Sequence, residues 1–232
     1  MTLSGKTAVI TGSNSGIGLG VAREMAKAGA NIVLNSFTDR DEDYALAAEI
    51  AANFNVDAKY VAADMSKADD CRRLVVAAGG CDILINNAGV WHKTGPLDTI
   101  DEAMLLQTVQ VNLTAAMILT RNVLPTLRAQ SEAAVLNVIS KSGVIAQAGQ
   151  SVYSASKYGM RGFTDVLKED EAESGVRVAG LYQSGTNTGM FAKAAEDVPN
   201  HIFTEPDDLA DVVVFMLSRP AKLWMHEVRV EL

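Results

Sequence analysis

The sequence predicts an α/β fold: a doubly wound, seven-stranded parallel sheet flanked by helices, built as a single domain over residues 1–232. Three observations predict it. Short apolar, β-branched runs alternate with longer segments of helical period, the pattern of parallel strands joined by crossover helices. The first run breaks into Gly12-Ser13-Asn14-Ser15-Gly16-Ile17-Gly18 and then into a helical pattern, so strand, glycine turn and helix follow one another. Finally, 232 residues, 48% of them apolar, suit one large core, and no repeat, linker or low-complexity segment divides them.

Residues 6–11 (K-T-A-V-I-T) read as the first strand and 17–28 as the first helix, closed by Gly29. Glycines let the backbone turn tightly and approach a pyrophosphate, which then sits against the free N–H groups at the helix amino terminus. The spacing is G-x-x-x-G-x-G, not the commoner G-x-G-x-x-G, and an ordinary βα turn would share it. Residues 31–35 form the second strand. About 20 positions past the glycine loop, NAD-binding folds carry an acid for the ribose hydroxyls. Asn35, Ser36 and Phe37 stand there, with neither an acid nor an arginine. Asp39-Arg40-Asp41-Glu42-Asp43 reads as a solvated helix start whose acids complement the dipole.

The third strand, 58–63, ends in Asp64-Met65-Ser66, and a helix over 69–78 stops at Gly79-Gly80. The fourth, 82–86, runs into Asn87-Ala88-Gly89. A long helix over 101–128 puts Asn112 among apolar neighbours, where a buried amide needs hydrogen-bond partners. The fifth strand, 134–139, ends at Ser140, and a helix over 153–173 carries the apolar stripe Met160, Phe163, Val166 and Leu167. A sixth strand (176–182), a connection of mixed polarity (188–205), a helix (206–217) and a last strand (228–232) complete the chain.

The chemistry concentrates between Ser140 and Lys157. Tyr153 and Lys157 are four apart, so on a helix they share one face, a turn from each other. A phenol titrates near ~10, too high for a base in neutral water. A nearby ammonium favours the phenolate and is expected to lower that pKa toward the range where proton transfer is efficient. Ser140, at the carboxyl end of a strand, stands where open α/β sheets bind ligands. Serine would hold a carbonyl oxygen, tyrosine would give or take its proton, and lysine would tune the tyrosine. Alone, Y-x-x-x-K is also what chance places on a solvated helix; the rest of the chain gives it weight.

Composition excludes other classes. No run of 18 apolar residues is present, so no membrane span or membrane partner is expected. The start runs straight into a strand without the charged and apolar regions of a signal peptide, which with two spaced cysteines, Cys71 and Cys81, suggests reduced thiols in the cytoplasm. Those cysteines lack metal-ligand spacing, so no metal is expected. A net charge of −8 argues against nucleic acid.

Taken together, these residues resemble the short-chain dehydrogenase/reductase family over nearly the whole chain, which implies a Rossmann fold. T-G-S-N-S-G-I-G (11–18) is similar to the family's T-G-x-x-x-G-x-G loop, and N-N-A-G (86–89) to the motif that stabilises the central strand and flanks the cofactor. Asp64 falls where members contact adenine, and Asn112, Ser140, Tyr153 and Lys157 match the catalytic tetrad, with serine thirteen residues before tyrosine. The resemblance implies hydride transfer between nicotinamide C4 and substrate carbon, the protein supplying position and electrostatics. It implies Tyr153 as general acid/base, Lys157 holding the nicotinamide ribose, Ser140 orienting the carbonyl, and Asn112 bending its helix to hold a proton-relay water. The cofactor set it implies is Gly12, Asn14, Ser15, Gly16, Ile17, Gly18, Ser36, Asp64, Met65, Asn87, Ala88, Gly89, Tyr153, Lys157 and Thr188.

Three departures stand out. Gln183-Ser184 replaces the usual Pro-Gly after strand six, the substrate-covering loop is short and expected to leave the mouth open, and the chain stops at Leu232 without a glycine-rich tail. With no cation fixed near the ribose, the sequence favours NAD over NADP. The first half, with N-I-V-L-N-S-F, resembles the 3-hydroxybutyrate dehydrogenase branch, which uses NAD. That branch holds its carboxylate from positions occupied here by Trp91, Ser142 and Gln150, none of them cationic. His92 is a candidate donor, otherwise an incidental exposed histidine, and Val144, Gln147, Tyr182, Gln183, Met190 and Phe191 are the other expected walls. The expected substrate is an uncharged ketone or secondary alcohol, aromatic and cyclic ones included, stacked near Trp91. Alternatives are 3-hydroxybutyrate itself, a 3-oxoacyl thioester on acyl-carrier protein (for which no Lys/Arg docking cluster flanks the site), and a cofactor-sensing protein without turnover. The long helices imply a homodimer or homotetramer, as in family members.

Overall fold

The computed structural model describes residues 1–196, 198, 202–220 and 222–231. Its strands are β1 (Thr7–Ile10), β2 (Asn31–Ser36), β3 (Ala58–Ala62), β4 (Ile83–Asn86), β5 (Ala133–Val138), β6 (Val176–Gln183) and β7 (Glu227–Val230). They form one sheet in the order β3-β2-β1-β4-β5-β6-β7, every neighbouring pair parallel. The helices are α1 (Gly16–Lys27), α2 (Asp41–Phe54), α3 (Ala68–Ala78), α4 (Glu102–Val109), α5 (Ala115–Arg128), α6 (Ser151–Asp170), α7 (Met190–Lys193) and α8 (Pro206–Ser218). The chain winds from β1 outward to β3, then returns to β4 and winds the other way. The carboxyl ends of β1 and β4 therefore face a crevice at the switch point, where such sheets bind ligands.

Strand side chains alternate between two cores. Ala8 and Ile10 of β1, Ile32 and Leu34 of β2, and Ile83 and Ile85 of β4 pack with Val21 and Met25 of α1 and with Val213, Met216 and Leu217 of α8. Val9, Val33, Leu84 and Val135 point to the other face, against Leu74 of α3, Leu119 and Val123 of α5 and Leu167 of α6. Each such buried aliphatic side chain contributes about 1.5–3 kcal/mol.

Most expected elements lie within a residue or three of their observed bounds. The helix expected over 101–128 is interrupted by a π turn, Gln110–Thr114, and the helix expected from Tyr153 begins two residues earlier, at Ser151. The last strand is Glu227–Val230, and its expected end at Leu232 lies outside the described residues. By length and composition the 27-residue stretch Glu102–Arg128 could cross a membrane, yet Val111, Leu119, Val123 and Leu127 on it are buried against the sheet. It is one of the layers packed on the sheet.

Candidate active site

The cofactor half is built mainly from backbone held by short polar side chains. Beyond β1 the chain turns at Gly12, with φ +60°, where a Cβ would meet Ala88 Cα at 2.9 Å. At Gly18 a Cβ would stand 2.5 Å from both Asn87 Nδ2 and the Gly12 oxygen. Neither position admits a side chain. Asn87 Nδ2 donates to Thr11 O (2.8 Å) and Gly12 O (3.0 Å), while Thr11 Oγ1 accepts from the N–H groups of Asn87 and Ala88. Ser13 ties the loop to β2, its N–H donating to Asn35 O and its hydroxyl accepting from Asn35 N. Ser15 precedes α1 without a side-chain cap, and the first turn carries no acid, so the amide donors there stay open to an anion.

A cavity of about 640 Å³ lies over this loop. Of the residues expected to hold cofactor, Gly12, Asn14, Ser15, Gly16, Ile17, Ser36, Asp64 and Met65 line it, as do Asn87, Ala88, Gly89, Tyr153, Lys157 and Thr188. Gly18 does not; it lies beneath the Asn87 clamp. Asn35 belongs to the fold more than to the ribose. Its amide donates to Val61 O and Ala63 O at 3.0 Å and its Oδ1 accepts from Gly12 N. Phe37 is 73% exposed at the cavity's edge. The acid run thought to be solvated is only partly so, because Asp43 is 3% exposed. Arg40, Thr38 and Asn14 all donate to its carboxylate, which lets it bury.

The catalytic half converges at the ends of β4 and β5. Asn112 sits in the π turn with its amide clamped to the loop after β4: Oδ1 accepts from Val90 N (2.7 Å) and Nδ2 donates to Val90 O (3.0 Å) and Ser156 Oγ (3.2 Å). Its buried amide is thus satisfied, and the helix register shifts where it stands. It does not line the cavity. Ser140 holds φ +112°, a backbone region that side chains rarely adopt, and so stores strain where its hydroxyl faces the cavity.

Tyr153 and Lys157 are 6% and 4% exposed. Lys157 Nζ donates to Val138 O at 3.1 Å and lies 5.7 Å from the centre of the Tyr153 ring. Burial pushes the phenol up to about 12, partly opposed by a hydrogen bond with Ser140, and brings the ammonium down to about 8. The expected lowering of the phenol by Lys157 does not hold in this structure. Removing water penalises the phenolate more than the contacts around it compensate.

The substrate half differs most from expectation. Trp91 is no open stacking surface. Its ring stands edge-on to Tyr153 (4.5 Å, 73°) and to Phe191 (5.4 Å), and its Nε1 donates to the Glu196 carboxylate at 2.5 Å. Glu196 also accepts from Thr94 Oγ1 at 2.6 Å, which ties it to the loop after β4; residues 197 and 199–201 of the connection expected to leave the mouth open lie outside the described residues. Ser142, Gln147 and Gln150 line the cavity as a closed ring: Ser142 Oγ donates to Gln150 Oε1, Gln147 Nε2 to Ser142 Oγ, and Gln150 Nε2 to Gln147 Oε1. Gln183 and Met190 line it too, and Gln183 Oε1 is buried without a protein partner.

His92 is neither exposed nor in the site. It is 6% exposed, its Nδ1 lies 3.1 Å from Lys93 O, and it does not border the cavity. Val144 and Tyr182 are likewise absent from the wall, Tyr182 being packed with Ile139 and Met160. The sequence reading missed Lys141, Lys193 and Glu196, all of which line the cavity. Lys141 was legible as the neighbour of Ser140. Glu196 lay in an aperiodic connection that gave no signal.

The family model described as short chain dehydrogenase matches residues 6–199. The chain belongs to that family. It is 36% identical to the D-beta-hydroxybutyrate dehydrogenase of Cupriavidus necator, covering 95% of this chain and 93% of that one. Among solved structures, it resembles a metagenomic short-chain oxidoreductase in complex with NADP (32% identity, TM-score 0.84, both chains fully covered). It also resembles a 3-ketoacyl-(acyl-carrier-protein) reductase from Brucella melitensis complexed with NADH (31%, TM-score 0.83, 98% and 96% covered). This short-chain dehydrogenase is an NAD(P)-dependent oxidoreductase acting on CH–OH groups. Among its described residues no cluster of three or more His, Cys, Asp or Glu could hold a metal ion.

Proposed function

We propose that this enzyme uses NAD(H) to interconvert an uncharged secondary alcohol and its ketone, with Tyr153 as the proton donor and acceptor. The observation that carries the reading is the convergence of Ser140, Tyr153 and Lys157 on one cavity whose other end is the uncapped amino terminus of α1. The cradle suits a dinucleotide: a pyrophosphate needs free N–H donors, which the uncapped first turn of α1 offers, and Gly12 and Gly18 let the loop fold tightly against Ala88 and Asn87 beside it. Gly12, Asn14 to Ile17, Ser36, Asp64, Met65, Asn87 to Gly89 and Thr188 would hold it. When bound, nicotinamide supplies or accepts the hydride.

The side chains do the rest. Ser140 donates to the substrate oxygen and orients it. In reduction Tyr153 gives its proton to that oxygen, and in oxidation it takes the proton back. With the phenol near 12 it is the neutral donor at physiological pH. Lys157, held by Val138 O and retaining its charge below about 8, stands next in line to resupply the proton. Asn112 positions this group by bracing the loop after β4 and, through Ser156, the helix that carries both residues.

Neutral substrates are favoured because Trp91, Ser142 and Gln150 are uncharged and Glu196 puts a carboxylate beside Trp91. A small carboxylate such as 3-hydroxybutyrate is the second reading, supported by Lys141 and Lys193 on the cavity wall and by the names of the relatives. Steady-state kinetics with a panel of neutral ketones, alcohols and 3-hydroxybutyrate, each with both cofactors, separates them. Higher kcat/KM on 3-hydroxybutyrate than on every neutral substrate would reject the first reading. A tenfold or larger preference for NADPH would reject NAD.

A cytoplasmic homodimer or homotetramer is part of the proposal. Leu106, Met117, Tyr158 and Val166, on α4, α5 and α6, are exposed apolar or aromatic residues that a second copy would cover. Light scattering giving a monomer of 24.6 kDa at micromolar concentration would refute it.

A further inference from the structure

The place that usually holds an acid against the ribose hydroxyls, at the end of β2, holds Ser36 and Phe37. A carboxylate is nevertheless close. Asp43, the third residue of α2, lies behind the loop and is 3% exposed. Its Oδ1 accepts from Asn14 Nδ2 at 2.9 Å and from Arg40 Nη2 at 3.2 Å. Its Oδ2 accepts from Thr38 Oγ1 at 2.6 Å and from Arg40 Nε at 3.2 Å. Two of these donors connect it to the cavity. Asn14 lines the wall itself, and Thr38 Oγ1 lies 3.5 Å from Ser36 Oγ, which lines it as well. Tyr60 OH donates to Thr38 O at 2.5 Å and fixes the turn from beneath.

Arg40 is the nearest cation to the ribose end in sequence, and its side chain is 54% exposed. A free guanidinium there would be a ready partner for a 2′-phosphate, since its fork matches phosphate oxygens. In this structure both arms of the fork are spent on Asp43, with Glu42 adding a carboxylate at 3.7 Å. The corner therefore presents no net positive charge to the cavity, and Asn14 is held by its amide nitrogen, which donates to the carboxylate and to Thr38 Oγ1.

We infer that Asp43, which does not line the cavity, is the residue that discriminates against a 2′-phosphate: it neutralises Arg40 and fixes Asn14, taking the role of the acid missing from β2. It is a positioning residue, acting through its partners. The inference deepens the NAD reading above and rests on it.

The test uses the full-length protein and two probes that differ only by the phosphate, adenosine 5′-monophosphate and adenosine 2′,5′-bisphosphate, titrated calorimetrically, with kcat/KM for NADH and NADPH alongside. Asp43→Asn keeps the shape of the carboxylate and removes its charge. It is expected to shift the affinity ratio toward the bisphosphate by about tenfold, the scale of one unscreened fixed charge. Arg40→Ala, which leaves Asp43 uncompensated, is expected to move the ratio severalfold the other way, and the double variant to return it near wild type. An unmoved ratio in a folded Asp43→Asn protein overturns the inference. Should that variant fail to fold, Arg40→Ala decides, because its side chain is half exposed and an unchanged ratio again overturns the inference. The NAD reading fails separately, if the wild type itself binds the bisphosphate more tightly. A shift on Asp43→Asn would still assign the discriminating charge to this residue.

Discussion

The two ends of the cavity are made by different means. At the cofactor end, geometry comes from strand ends and backbone: Thr11, Ser13, Asn35 and Asn87 bond main-chain groups, and two glycines leave no room for a Cβ. At the substrate end it comes from side chains meeting side chains, Trp91 with Glu196 and Phe191, and Ser142 with Gln147 and Gln150. Backbone geometry is common to every chain that must cradle a pyrophosphate. Side-chain meetings can be exchanged one at a time. The first kind of site therefore identifies a cofactor class, and the second chooses a substrate.

If the ends are separable, substitutions should damage one and spare the other. Tyr153→Phe removes the proton donor while keeping the ring against Trp91. Turnover is expected to fall by roughly 10²–10⁴-fold, with the dissociation constant for NADH within about threefold of wild type. Wild-type rates would end the proton-transfer reading.

Direction of reaction gives the next effect. A phenol near 12 is neutral through the physiological range, so below pH 8 oxidation, which needs the phenolate, should gain about tenfold in kcat/KM per pH unit. Reduction, which needs the neutral phenol, should stay flat until Lys157 begins to lose its proton near pH 8. Oxidation that stays flat with pH below 8, with reduction falling instead, would mean that Tyr153 is not the titrating group.

Gly18→Ala probes the opposite end. The added methyl collides with Asn87 Nδ2 and Gly12 O, a backbone-level overpacking expected to lower stability by about 1–3 kcal/mol, or roughly 2–12 °C in Tm. NADH affinity should weaken with it. The rate of the chemical step at saturating cofactor, read by single turnover, should survive.

The smallest effect is expected where Glu196 meets Trp91 and Thr94. Glu196→Gln keeps a hydrogen-bond acceptor for Trp91 and Thr94 but removes the charge. It should raise kcat/KM for 3-hydroxybutyrate severalfold relative to a neutral ketone, because the carboxylate no longer repels an anion nearby. An unchanged ratio would take Glu196 out of substrate choice and leave it a strap.

This division also explains what was legible in the sequence. Parallel strands buried on both faces write themselves as apolar runs, and a glycine without space for a Cβ cannot be replaced cheaply, so β1, α1 and the loop between them could be read directly. Ser140, Tyr153 and Lys157 could be read because a helix and a strand end fix their spacing. Asp43 could not: a run of four acids around Arg40 looks solvated, and nothing local says that the third residue of the helix turns inward onto Asn14. His92 failed likewise, since burial of a loop residue is decided by distant partners. Glu196 meets Trp91 across 105 positions through a connection without periodicity, a contact that only the folded chain defines.

The backbone at Ser140 has a further meaning. A residue at φ +112° sits in a conformation that costs about 1–3 kcal/mol for a side chain and little for glycine. Ser140→Gly is thus an easy route to a sturdier fold, and it deletes the hydroxyl that would meet the substrate oxygen. For a lineage released from selection on turnover, the path toward a silent, well-folded relative is downhill at this position. What opposes that slope is the hydroxyl itself, which accepts from Ser142 N at 3.2 Å, hydrogen-bonds Tyr153 and faces the cavity, so residue 140 is where fold stability and chemistry pull in opposite directions.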